Sequence, residues 1–139
     1  MIKHINSSQN WMTNPIVNLG DQFKDDRGSI TSLISLMDPS IGSVVIIESK
    51  KGAVRANHYH KKDWHYCYVL SGKIDYYARE VNSNEEPIKT TVCSNQLFYT
   101  PSLLEHAMYF PEDCVFLTFG GGSRTQEDYE SDLVRVKLI

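Results

Sequence analysis

The chain has 139 residues, with 14 lysines and arginines against 17 aspartates and glutamates and a formal net charge of −3. That length builds one core, and the dispersed basic residues exclude nucleic acid as a general partner, because phosphate binding draws most of its affinity from a basic patch. No stretch approaches the ~18 apolar residues of a membrane span and residues 1–10 lack the apolar run of a signal peptide, so a cytoplasmic protein without membrane association is expected.

Residues 1–13, including His4, read as a polar N-terminal arm and residues 14–139 as a single domain. Roughly ten short apolar stretches follow, separated by turn residues and without a long helical period, which predicts an all-β sandwich or barrel. Ile30-Thr31-Ser32-Leu33 partly alternates. The continuous run Val44–Ile47 predicts a strand buried on both faces, as does Cys114–Phe119. Trp64–Leu70 is rich in aromatic and β-branched residues and reads as a strand that turns at Ser71-Gly72 into a further strand, Lys73–Glu80. Other turns are predicted at Asp38-Pro39-Ser40, Asn82-Ser83-Asn84 and Pro111-Glu112-Asp113. Residues 120–132 read as a flexible acidic connector or lid. Leu133–Leu138 partly alternates and is expected to pair with an exposed sheet edge, in its own subunit or in a partner's. A homodimer is expected. Cys67, Cys93 and Cys114 include no CxxC pair and read as reduced thiols.

Four of the five histidines are spaced in a way that points to one site. His58 and His60 lie two apart on a predicted strand, so both side chains share one face with Cβ atoms about 6–7 Å apart. His65 lies on the returning strand and His106 beyond the Pro101 turn. Imidazoles from two neighbouring strands would then hold one divalent transition metal ion, namely zinc, iron, nickel, copper or manganese; calcium and magnesium suit this set poorly. Cys67 shares the parity of His65 and reads chiefly as a small buried hydrophobe. Tyr66 and Tyr68 have the opposite parity and are expected to face outward, toward the dimer contact. Arg55 precedes His58 by three residues, which turns it away from the histidine face unless a bulge intervenes at Ala56-Asn57.

The segment Gly52-x5-His58-x-His60-x4-His65-x6-Gly72 resembles the first cupin motif, and Asn95–His106 resembles the second. The resemblance implies a small single-domain β-barrel of the cupin jelly-roll type. His65 stands where metal-binding cupins usually carry a glutamate ligand. Asp25-Asp26-Arg27-Gly28 and Val54-Arg55-Ala56-Asn57-His58-Tyr59 are similar to segments of the dTDP-4-dehydrorhamnose 3,5-epimerases and dTDP-sugar 3,4-ketoisomerases. This likeness implies Arg27 and Arg55 as ligand-binding residues, with Arg55 facing a sugar diphosphate, and His58 as the general base. It implies an isomerase or epimerase acting on a nucleotide-linked keto-deoxysugar in surface-polysaccharide synthesis. Those epimerases work without a metal, carry glutamine and lysine where this chain has His60 and His65, and use a tyrosine proton donor with no counterpart in residues 116–122. A metal-dependent dioxygenase and a non-catalytic carbohydrate-binding cupin are the alternative readings.

Overall fold

The computed structural model describes residues 9–34, 41–122 and 125–139; His4 and the predicted turn at 38–40 lie outside them. The strands are β1 (Phe23–Asp25), β2 (Gly28–Ile30), β3 (Ser43–Ser49), β4 (Val54–His60), β5 (His65–Ser71), β6 (Lys73–Glu80), β7 (Ile88–Cys93), β8 (Leu97–Thr100), β9 (Leu104–Tyr109), β10 (Cys114–Gly120) and β11 (Leu133–Arg135). One helix, α1 (Gln126–Asp132), precedes β11. The strands form an antiparallel sheet of order β3-β10-β5-β8 and another of order β11-β4-β9-β6-β7, while β1 and β2 make a separate hairpin. The two main sheets lie face to face as a cupin jelly roll. Among the described residues their edges do not join, so the expected barrel is an open two-sheet sandwich.

Period-two alternation puts one face of each sheet into a shared core. Val69, Phe98 and Phe116 from the first sheet meet Ile74, Tyr76, Ala78 and Val92 from the second, and Phe110 stacks on Phe116 at 5.7 Å. Because β5 and β6 belong to different sheets, the chain must turn sharply at Gly72. Gly72 has a φ of 80°, and a Cβ there would collide with the Asp113 carbonyl oxygen. Only glycine meets both demands.

Four sequence expectations change. Val44 and Ile46 are 54% and 62% exposed, because β3 is an edge strand buried on one face only. Tyr66 does turn to the outer face of its sheet, away from the side of Cys67 and Val69, but it is fully buried there rather than exposed. It sits in a second cluster with Val17, Leu97 and Tyr99, against which Trp11, Leu19, Ile34 and Trp64 pack. The chain before β1 covers that outer face: Val17 N–H donates to Leu97 O at 2.8 Å and Tyr99 N–H to Pro15 O at 2.9 Å, closing the edge of β8. Trp11 meets Tyr99 edge-on at 5.0 Å, so the arm is anchored before residue 14. Finally, the 120–132 connector contains α1. Thr125 caps it in extended conformation, its side chain accepting from Asp128 N–H, with Glu127 and Asp128 in the first turn. The strand expected from Leu133 onward does pair with a sheet edge, that of β4 in the same chain. Among the described residues no helix is long and apolar enough to cross a membrane.

A buried histidine cluster as the candidate functional site

Strand β4 carries His58 and His60 toward the core, and β9 places His106 directly opposite His58 in register. All three are buried, as is His65. Ring centroids lie 4.8 Å apart for His58 and His60 and 4.9 Å apart for His58 and His106. His65 arrives from the facing sheet on β5, not from a strand neighbouring β4, and its ring lies 4.5 Å from that of His60. The four predicted histidines are therefore brought together, with three on one sheet and one on the other. Ligand-capable atoms of His58, His60 and His106 all lie within 4.8 Å of one another, and those of His60, Asp63 and His65 form a second group that meets the same bound.

The bulge that the arginine required is present. Pairing of β4 with β9 shifts register between Ala56 and His58, and Ala56 and Asn57 have φ of 68° and 55°. Such left-handed backbone costs about 1 kcal/mol or more per residue and persists only when its surroundings hold it. Asn57 is held: its Oδ1 accepts from Leu138 N–H at 3.0 Å and Ile139 N–H at 3.1 Å, and its carbonyl accepts from Val136 N–H at 2.9 Å. The bulge resets parity, so Arg55 and His58 line the same cavity of about 140 Å³ together with Cys67, Thr118 and Tyr129. Arg55 stands at its rim, donating through Nε to Ser49 Oγ at 2.7 Å and through Nη2 to Glu48 O at 3.0 Å. Cys67 is buried beside Thr118, Sγ to Oγ1 3.5 Å.

Arg27 lies elsewhere. It sits on the β1–β2 hairpin with its side chain 86% exposed and paired to Asp25, and it does not reach the histidine cavity of its own chain.

Two of the rings have a polar partner on Nδ1. His60 Nδ1 lies 3.2 Å from Asp132 Oδ2. His106 Nδ1 lies 2.9 Å from Leu104 O, an acceptor only, so that nitrogen carries the proton. Asp63 accepts from the N–H groups of Trp64, Gly121 and Gly122 at 2.9–3.0 Å. Its Oδ2 also lies 3.1 Å from His65 Nε2. Burial, and then the His65 charge, push His60 down to about 4 despite the opposing carboxylates. Burial, followed by His58, drives His106 well below its ordinary value. Burial opposes ionisation of Asp63, but the contact with His65 and the Trp64 and Gly122 amides outweigh it and hold the carboxyl at about 2. The His60 and His106 imidazoles are thus neutral at pH 7, the state in which a ring nitrogen can bind a metal or accept a proton.

The donor set fits a divalent ion. The His60 Nε2 atom is buried with no hydrogen-bond partner among the described residues, and buried polar atoms are rarely left so. Asp63, Tyr129 and Asp132 were not anticipated as site residues. The signal was present in Thr125-x-x-Asp128, a helix-cap spacing that puts Tyr129 and Asp132 one turn apart on a single helix face.

The family model for the polysaccharide biosynthesis C-terminal domain matches residues 23–109, more than half of the chain. No curated protein matches the sequence. Among solved structures, the capsular polysaccharide assembling protein CapF from Staphylococcus aureus is similar at 25% identity and a TM-score of 0.62, over 88% of this chain and 34% of CapF. The chain thus spans about a third of CapF's length. QdtA, a sugar 3,4-ketoisomerase from Thermoanaerobacterium thermosaccharolyticum solved with TDP, is similar at 21% identity and a TM-score of 0.65, over 83% of this chain and 82% of QdtA. A dTDP-4-dehydrorhamnose 3,5-epimerase from Sulfolobus tokodaii gives 20% and 0.61, over 81% and 77%. At such identities the last two likenesses carry the fold alone. With its cupin jelly roll and the match over residues 23–109, the chain belongs to the polysaccharide biosynthesis C-terminal domain family.

Proposed function

We propose that this chain is a metal-binding cupin that isomerises or epimerises a nucleotide-linked keto-deoxysugar in surface-polysaccharide synthesis. The carrying observation is a cavity that joins buried imidazoles to an arginine at its rim. Moving a proton beside a ketone needs a base and an electrophile, and no redox change. His58, His60, His65 and His106 would hold the ion, of zinc, iron, nickel, copper or manganese, which when bound supplies a Lewis acid for the ketone oxygen. CapF has been solved with the inhibitor 3-isopropenyl-tropolone, whose adjacent ketone and hydroxyl oxygens suit chelation of such an ion. Arg55 keeps donors beyond those used by Ser49 and Glu48 and would meet the diphosphate. QdtA, similar in fold, has been solved with TDP.

An imidazole whose lone pair holds an ion cannot also take a proton, so the ligand and base assignments of His58 exclude one another in a single step. Metal analysis of His58→Ala separates them: retained metal makes His58 the base, and lost metal makes it a ligand. The same reading includes a homodimer, supported by the exposed apolar residues Val44, Ile46 and Leu70 on strands of one sheet.

The deciding experiment is anaerobic incubation with dTDP-4-keto-6-deoxyglucose in deuterated water. Deuterium entering the sugar supports the reading. Oxygen consumption without deuterium exchange would move the protein to the dioxygenase class, and neither signal across a panel of keto-sugars would leave a binding module.

A further inference from the structure

We propose that Asp132, the last residue of α1, is the positioning residue of the histidine cluster: its carboxylate holds His60 with the proton on Nδ1, so that the Nε2 lone pair faces the cluster. The carboxylate is oriented independently of the histidine. Its Oδ1 accepts from Lys62 N–H at 3.0 Å and its Oδ2 from Asp63 N–H at 3.1 Å, while the Asp132 carbonyl accepts from Lys61 N–H at 2.8 Å. An ionised carboxylate has no proton to give, so a ring nitrogen 3.2 Å from Oδ2 is satisfied only as a donor.

That leaves Nε2 as the acceptor atom, and it is the atom found buried and unpartnered. His106 is set the same way by the Leu104 carbonyl, but from within its own strand. Asp132 comes instead from 72 residues away, on a helix whose Tyr129 also borders the cavity. Docking of α1 is therefore part of building the site. A carboxylate behind an imidazole also makes the opposite nitrogen a stronger ligand, an effect worth about 10–100-fold in metal affinity where it has been removed. The affinity part rests on the metal reading above; the tautomer does not.

Long-range proton–nitrogen NMR of the histidine rings tests the tautomer in metal-free protein. The expected result is His60 as the Nδ1–H form in the unmodified chain, changing to the Nε2–H form or a mixture in Asp132→Asn. The amide of Asp132→Asn keeps an oxygen for Lys62 N–H but offers His60 no carboxylate. An Nε2–H form in the unmodified protein overturns the proposal, and that spectrum decides even if Asp132→Asn does not fold. Zinc titration supplies the second readout: Asp132→Asn should lose about 10–100-fold in affinity, and should lose nothing further in a His60→Ala background. Equal loss in both backgrounds means that Asp132 only ties down the 61–63 segment, and overturns the positioning role. If the unmodified chain binds no zinc, the metal reading falls, and the NMR result still decides this one.

Discussion

Acidifying the metal-free protein should destabilise it well above the pH at which Asp63 titrates, and His60 sets the scale. In the unfolded chain this imidazole takes up a proton near 6.5, whereas burial and the neighbouring His65 hold it at about 4 in the folded state. Between those values the unfolded chain carries the extra proton, so each downward step in pH favours unfolding. Stability from His60 is complete above 6.5 and is lost as pH falls toward 4, a loss of about 3 kcal/mol. His106, also depressed, adds in the same direction. Against a typical total of about 5–15 kcal/mol this is a large share. Asp63, held at about 2, loses its contribution only below 3.8, so the imidazole window is separable. Urea unfolding of chelator-treated protein at half-unit steps from pH 7 to 4.5 measures the slope, and His60→Gln should flatten it visibly. A stability that stays level across that range, or a slope unchanged in His60→Gln, would refute the reasoning.

Other consequences are equally open to measurement. The Tyr66 hydroxyl is buried with no hydrogen-bond partner among the described residues, so Tyr66→Phe should raise stability by about 1 kcal/mol in denaturant unfolding; a loss of that size would mean the hydroxyl is paired. Gly72→Ala forces a side chain against the Asp113 carbonyl at a positive φ and should cost about 3 kcal/mol or prevent folding, which circular dichroism and thermal melting would report. Arg55→Ala should weaken dTDP binding about tenfold or more by calorimetry while leaving the melting temperature within a few degrees; unchanged affinity points to a ligand without phosphate. Asn57→Ala removes the acceptor of two C-terminal amides and should both lower stability by about 1–3 kcal/mol and misplace Arg55, seen as weaker dTDP binding.

The strand content and the two faces of the cluster strand were readable because period two is a local property. His58 and His60 follow from it directly. What could not be read was which strands face one another. His65 seemed to return beside β4, yet the chain crosses to the other sheet between Lys61 and Trp64, and no short-range pattern encodes that crossing. Tyr66 shows the same limit: parity turned it away from His65 correctly, but the outside of that sheet is covered by residues 11–19, a contact distant in sequence. The acidic run before β11 concealed α1 because seven residues without a buried side chain give no apolar stripe to detect. Only its cap was legible. For Arg55 the conflict between strict alternation and family likeness located the bulge in advance, and the left-handed pair Ala56-Asn57 resolves it.

The division of the imidazoles between sheets makes the cluster a ruler for the gap within the sandwich. Three rings move with β4 and β9, and one moves with β5. A slide of one sheet past the other by a single residue, about 3.3 Å, would carry His65 out of reach while the trio stayed intact. On the proposed metal reading, His65 would be the donor most sensitive to the spacing between layers, because it alone comes from the facing sheet.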